Sequence, residues 1–507
     1  MNPLIFIFSI QYCIFNAIVK GCAKYNLHFV TSHKADSCML VRKPLPSQLF
    51  HRIPKDSFNQ FLTNDKLSLP ILLLSLLVGI LAGLVATYFE LAVHFVSESR
   101  TQWLVSSITA QVPLWFAAFM ISAGLALIGY YLVHRFAPEA AGSGIPEIEG
   151  AMDNIRPVRW WRVLPVKFIG GMGALGSGMV LGREGPTVQM GGAVGRMVSD
   201  VFRVKNDDTR HSLLAAGAAG GLAAAFNAPL AGIMFVLEEM RPQFRYSLIS
   251  VRSVIIAAVS ANIVYRVING QQAVITLPQY SAPELSALGF FLLLGLLFGL
   301  FGVIFNRLIT LSQDVFGRIH KNISHRYLIT GSLLGGCFGL TLLYLPELTG
   351  GGIFLIPSVA MGEYTTGVLL LLFLGRIVTT LLCFGSGAPG GIFAPMLALG
   401  TLFGYAFGLI VQSWFPELNI EPGMFAIAGM GALFAATVRA PITGILLVIE
   451  MTNNYYLILP LIITSLGAVI SAQLLGGKPI YNQLLHRTIK KEKLRKQELP
   501  DNGSVRM

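Results

Sequence analysis

Charge is scarce in this chain. Asp, Glu, Lys and Arg supply only 12% of its 507 residues, about half the share of a typical soluble protein. Cysteine is rarer still. Cys13, Cys22, Cys38, Cys337 and Cys383 have neither the spacing of a metal site nor that of a disulfide framework. The nine histidines share no motif with a candidate nucleophile, and neither HExxH nor GxxxxGK[ST] occurs. Gly142-Ser143-Gly144 is too short a pattern for the nucleophile turn of a serine hydrolase. Low-complexity sequence is absent apart from a short charged tail. These absences argue against a soluble enzyme and give no sign of a metal or an organic cofactor.

Apolar sequence takes up the space. Hydrophobic residues make up 54% of the chain, and apolar runs recur from about Leu69 to Leu475. Ile71 to Phe89, Trp115 to Val133, Leu285 to Phe305, Leu369 to Phe384 and Leu457 to Leu475 are examples. A bilayer span needs roughly 20 apolar residues, so an all-α, polytopic membrane protein is expected. Other runs are shorter and broken by Gly and Pro. Such breaks are tolerated at membrane depth where they line a buried site or a pathway.

The formal net charge of +12 is unevenly placed. Basic residues gather before the first strong span (Arg42, Lys43, Arg52, Lys55, Lys66) and at the C-terminus (Lys490, Lys491, Lys493, Arg495, Lys496). The positive-inside rule then puts both termini in the cytoplasm, with an even number of crossings. No basic patch alternates with exposed aromatics in a soluble domain, which argues against nucleic acid as a partner. Residues 1–60 read as an N-terminal extension. Met1 to Val19 lacks the basic start and cleavage site of a signal peptide, and Met39 is a plausible initiator.

An internal repeat organises the rest. Gly217 to Glu238 aligns without gaps on Gly429 to Glu450, with nine of 22 positions identical. Upstream, Gly182, Pro186, Gly191 and Gly195 match Gly391, Pro395, Gly400 and Gly404 at nearly the same offset. Two membrane repeats are expected, 61–272 and 273–482, parted by the polar stretch Gln272 to Pro283. A basic cytoplasmic tail, 483–507, follows. Duplicated halves in membrane proteins often form transporters with the substrate site between them. The mismatches are as informative as the identities. Glu184 aligns with Phe393 and Glu239 with Met451, whereas Glu238 aligns with Glu450. Two acids therefore occur in one half only, and no symmetric packing role explains them.

Three motifs share one pattern: Gly142-Ser143-Gly144-Ile145-Pro146, Gly182-Arg183-Glu184-Gly185-Pro186 and Gly391-Ile392-Phe393-Ala394-Pro395. Each puts glycine just ahead of a proline and a helical stretch. Proline suits the first turn of a helix, where its missing N–H costs nothing. The product is a helix that starts inside the protein with bare N–H groups, which attracts anions. The competing reading is that the glycines only permit close helix packing. Ser143 can donate its hydroxyl to the anion or cap the helix, and the two are compatible. Glu184 sits where an anion would sit. As a carboxylate it can occupy the site, and as a neutral acid it can leave. An ionisable residue at membrane depth is a functional candidate by default; the bland alternative for Glu184 is a salt bridge to Arg183. Glu238 and Glu239 end an apolar helix. Glu238 reads as an acid reaching interfacial water and Glu239 as a proton-entry residue. Tyr481 reads as an interfacial aromatic.

GSGIPEIEG, GREGPTVQMGG, AAAFNAPLAGIMFVLEEMRPQFRY and SGAPGGIFAPMLALG resemble the CLC family of chloride channels and chloride/proton exchangers, its bacterial exchangers most of all. The resemblance covers about residue 60 to residue 490, in motif order and spacing. It implies a homodimer with one pore per subunit and two repeats of inverted topology. It implies that Ser143 coordinates a central chloride with its hydroxyl, Tyr481 with its phenol, and Ile392 and Phe393 with their backbone amides. It makes Glu184 the gate and outer proton site and Glu239 the inner proton acceptor. An acid at position 239 favours exchange over passive conduction, and Ser143 favours chloride over nitrate. Only 26 residues follow Tyr481, so the resemblance implies no large nucleotide-binding domain there. The expectation is a secondary active antiporter, not an enzyme, exchanging chloride for protons across the cell inner membrane. A passive chloride channel of the same fold is the alternative, and an intramembrane hydrolase using Ser143 is a third reading.

Overall fold

The computed structural model describes residues 69–498 apart from 110, 322 and 419, with the side chains of 107–109 and 491–498 left out. Expectations for residues 1–60, for Met39 and for the basic cluster ahead of the first span lie outside the described residues. Within them the chain forms helices and no strand beyond a single isolated bridge. In chain order the helices are α1 (Leu69–Thr109), α2 (Leu114–Phe136), α3 (Ile145–Met152), α4 (Trp160–Gly176), α5 (Glu184–Val201), α6 (Asp207–Phe226), α7 (Pro229–Glu238), α8 (Leu248–Asn269), α9 (Leu288–His320), α10 (Ser324–Tyr344), α11 (Leu355–Ala360), α12 (Thr366–Gly385), α13 (Phe393–Trp414), α14 (Pro422–Val438), α15 (Pro441–Thr452), α16 (Ile458–Leu474) and α17 (Ile480–Glu498).

Among the described residues, eight helices are long and apolar enough to cross a bilayer. They are α1, α2, α8, α9, α10, α12, α13 and α16. The longest, α1, has 41 residues. At about 1.5 Å per residue it reaches about 60 Å, twice the ~30 Å hydrocarbon layer, so it tilts or projects beyond that layer. Others are too short to span. α7 has 10 residues and α15 has 12, and each begins at a proline.

Those two short helices hold each other. Glu238, at the end of α7, accepts hydrogen bonds from the Ile442 N–H (3.1 Å), the Thr443 N–H (2.7 Å) and the Thr443 hydroxyl (2.8 Å) at the start of α15. Glu450, near the end of α15, accepts from the Leu230 and Ala231 N–H groups at the start of α7, at 3.1 and 2.9 Å. The repeated acid therefore caps a helix of the opposite repeat. This corrects the reading of Glu238 as a residue that merely reaches interfacial water: four otherwise orphaned first-turn amides need acceptors, and the two carboxylates supply them.

The paired glycines of the repeat also do the same work twice. A Cβ on Gly191 would fall on the Gly217 carbonyl, and one on Gly195 on the Leu213 carbonyl, so α5 and α6 cross with their backbones in contact. In the second half, Gly400 meets the Gly429 carbonyl and Gly404 the Phe425 carbonyl, which brings α13 onto α14. Close helix packing accounts for these glycines. The stretch between the expected repeats is pinned to both. The Gln272 carbonyl accepts from Asn227, the Ile275 N–H donates to the Met451 carbonyl, and the Tyr280 N–H donates to Asn454. At the far end, the expected boundary at 482 falls inside α17, which runs on through Glu498.

Candidate functional site

The three glycine–proline turns meet. Gly182 and Gly391 exchange both backbone hydrogen bonds, each at 2.7 Å. The Gly142 N–H donates to the Ala388 carbonyl, and the Gly390 N–H donates to the Gly142 carbonyl, both at 3.1 Å. A Cβ on Gly185 would come within 2.9 Å of the Ser143 carbonyl oxygen, and one on Gly391 within 3.1 Å of the Gly185 nitrogen. Helices α3, α5 and α13 therefore start around one point. Pro146, Pro186 and Pro395 lie in their first turns, where N–H groups lack helical acceptors and carry the positive end of the helix dipole.

Ser143 is held between two left-handed glycines, Gly142 (φ 63°) and Gly144 (φ 85°), a conformation open to glycine at little cost. Its side chain is buried, and its Oγ accepts from the Ile145 N–H at 3.1 Å. The hydroxyl thus serves the backbone as an acceptor while its own proton remains available to an anion. The loop rests on Lys167 of α4. The fully buried Lys167 ammonium donates to the Ala140 carbonyl at 2.9 Å and to the Gly142 carbonyl at 2.6 Å. Sequence reasoning passed over this cation, although a lysine in an apolar helical stretch is itself a signal.

Glu184 opens α5 and is 0% exposed. Its carboxylate lies over Gly182, next to the Ala394 nitrogen in the first turn of α13. Neither carboxylate oxygen makes a hydrogen bond of ordinary geometry among the described residues, although the Glu184 and Ala394 N–H groups act on it. Arg183 does not provide one. Its guanidinium pairs with Glu90 of α1 and donates to the Ala225 carbonyl. The adjacent side chains diverge because Arg183 enters α5 with helical backbone angles (φ −84°, ψ −16°), and consecutive residues on a helix do not face each other, which answers the salt-bridge reading of Glu184.

Ile392 and Phe393 begin α13 and are fully buried. The Phe393 ring sits among Phe434 (4.7 Å between centroids), Phe235 (5.7 Å) and Phe226 (5.9 Å). Tyr481 lies nearly parallel to it at 6.1 Å. Tyr481 is 0% exposed, which corrects the interfacial reading. The start of α17 returns against Phe393 and buries the ring. Its phenol oxygen has no partner among the described residues.

Glu239 follows α7 and is 8% exposed. It does not share the capping role of Glu238. The carboxylates that act on it are Glu149 and Glu238. Glu149, on α3, was missed from sequence. It is 2% exposed, and its Oε2 has no partner among the described residues. Its place between Ile148 and Gly150 in the GSGIPEIEG motif was the available signal. Its neighbour Glu147 is accounted for by a two-pronged pair with Arg156, at 2.7 and 3.0 Å. Among the described residues no three His, Cys, Asp or Glu side chains gather as metal ligands. The site therefore combines convergent amides, two hydroxyls and buried carboxylates, a set that can hold a small monovalent anion and move protons.

The family described as voltage gated chloride channel matches residues 123–473. The H(+)/Cl(-) exchange transporter ClcA of Vibrio cholerae serotype O1 (strain M66-2) is 79% identical over 462 residues, covering 91% of this chain and 99% of that protein. The transporter of the same name from Cronobacter sakazakii is 57% identical over 448 residues, covering 88% and 96%. Among solved structures, a slow cyanobacterial Cl-/H+ antiporter superposes with a TM-score of 0.79 at 42% identity, over 83% of this chain and 99% of the other.

Proposed function

The chain belongs to the voltage gated chloride channel family, and from that premise we propose that it exchanges chloride for protons with Glu184 as gate and outer proton site. It is a secondary active transporter, not an enzyme. Chloride binds where α3, α5 and α13 begin, with the Ile392 and Phe393 amides, the Ser143 hydroxyl and the Tyr481 phenol as its donors. Helix dipoles and neutral donors hold a monovalent anion without the tight grip of a full buried countercharge. Ionised Glu184 competes for those donors. Once protonated it no longer does, chloride takes its place, and the proton passes on to Glu239. Glu149, beside Glu239, adds a second buried carboxyl to the inner end of the route. The protein works as a homodimer, each copy with its own pore, in the inner membrane of a bacterium, with both termini in the cytoplasm.

One observation carries this reading. A fully buried carboxylate, with no hydrogen bond of ordinary geometry among the described residues, lies beside the Ala394 amide where α5 and α13 begin. A static carboxylate would be expected to satisfy its lone pairs, whereas one that leaves and returns is served by unfilled donors nearby. The test is transport by purified protein in liposomes. An imposed chloride gradient should drive protons uphill. Chloride flux that moves no protons would instead indicate a passive channel.

A further inference from the structure

We propose that the groove between the C-terminal end of α2 and the N-terminal end of α4 binds an anionic phospholipid. The groove has a volume of about 430 Å³ and is lined by Leu132, Arg135, Trp161, Arg162, Val166 and Ile169 among others, with no acidic residue in its wall. Basic side chains crowd this end of the molecule, and several are already paired. Arg156 pairs with Glu147, Arg159 with Glu139, and Arg196 and Arg210 both with Asp200. Arg135 and Arg162 are exposed and, among the described residues, have no ion pair. Arg135 only lies 5.9 Å from the Phe136 ring. Two unneutralised guanidiniums thus flank one groove.

The chemistry around them selects a lipid over a free anion. Below the two arginines the wall is apolar, and Ile128 and Ile169 are exposed alongside it, as a surface facing acyl chains requires. Trp161 is exposed at the level of the arginines, where aromatic residues settle at a membrane interface. The density of basic residues marks this end as cytoplasmic, and basic pockets between spans on that side take anionic headgroups. The groove also touches the transport machinery. Leu132 and Val166 pack on Val133, Ala137, Ala140 and Ala141, the segment leading into Ser143, and Lys167 beside Val166 grips the carbonyls of Ala140 and Gly142. A lipid seated here therefore supports the loop that carries Ser143.

The test compares melting of the purified protein in neutral detergent micelles as dioleoyl phosphatidylglycerol or dioleoyl phosphatidylcholine is added. Phosphatidylglycerol should raise the melting temperature, while phosphatidylcholine and inorganic phosphate should not. Arg135→Gln/Arg162→Gln should lose at least three quarters of that rise. Arg203→Asn/Lys205→Gln, which removes two charges that have no ion pair among the described residues from the adjoining α5–α6 turn, should keep it. In liposomes, wild-type chloride turnover should at least double as phosphatidylglycerol replaces phosphatidylcholine. The groove variant should turn over like wild type in phosphatidylcholine, which shows that it is folded, and should not respond to phosphatidylglycerol. A full lipid response in the groove variant overturns the assignment. So does an equal loss in both variants, which would indicate general surface charge, or an equal rise with phosphate alone. Melting in micelles requires neither transport nor a fixed orientation, so failure here leaves the exchange mechanism untouched.

Discussion

Removing either cross-repeat cap should unfold the protein more readily, and unequally. Glu450 accepts two backbone hydrogen bonds and Glu238 accepts three contacts, two from amides and one from a hydroxyl. A hydrogen bond to a charged group contributes about 1.5–3 kcal/mol. Both carboxylates are only partly buried, so the lower figure applies. Glu450→Ala should then cost about 3 kcal/mol and Glu238→Ala about 4.5 kcal/mol. The caps sit at opposite ends of one helix pair, α7 with α15, so the double variant should lose less than the sum, by about 1 kcal/mol. Glutamine keeps one acceptor oxygen and should lose about half as much as alanine in each case. Glu239→Gln is the internal control, since Glu239 caps nothing and its loss should leave stability unchanged. Denaturant titration of the purified protein in mixed micelles, read by circular dichroism, measures all six. A Glu450→Ala variant within about 0.5 kcal/mol of wild type, the limit of an ordinary surface change, would refute the reasoning. A larger loss for Glu450→Ala than for Glu238→Ala would do the same.

Four further outcomes follow from the same structure. Glu184→Gln should keep chloride flux in liposomes and abolish proton movement. Glu239→Gln should behave likewise, and uphill pumping retained in both variants would remove the assigned proton route. Tyr481→Phe should fold and melt as wild type, because the phenol oxygen has no partner to lose among the described residues, while chloride affinity measured by calorimetry falls. Gly191→Val should not accumulate as folded protein, because its side chain would collide with the Gly217 carbonyl; normal yield and a normal elution profile would contradict the close crossing of α5 and α6.

Much of this architecture was legible in the chain. Apolar length located the spans, since a bilayer imposes one requirement on every crossing segment. The glycine–proline motifs announced helices that start inside the protein, because proline and glycine act on the local backbone whatever surrounds them. What stayed hidden depends on distant partners. Arg183 is paired with Glu90, and nothing near residue 183 points to residue 90. Tyr481 follows the last span and has an interfacial composition around it, yet α17 turns back and stacks it on Phe393. Glu238 and Glu450 were visible as a repeated acid, but a repeat shows equivalence without showing that each copy reaches into the other half. Glu149 and Lys167 lay in plain view in the sequence. The repeat alignment that singles out Glu184 and Glu239 does not extend to Glu149 or Lys167.

The central claim is that Glu184 and chloride contend for the same amides. Linkage makes this measurable without transport. If only neutral Glu184 gives up those amides, chloride binding favours the protonated carboxyl, and by reciprocity binding must draw protons from the buffer. Chloride titration by calorimetry, repeated in buffers of different ionisation enthalpy, counts those protons. The account predicts proton uptake on binding in the wild-type protein and none in Glu184→Gln, which should also bind chloride more tightly. Binding without proton uptake in the wild type, or the same uptake in both proteins, would contradict it.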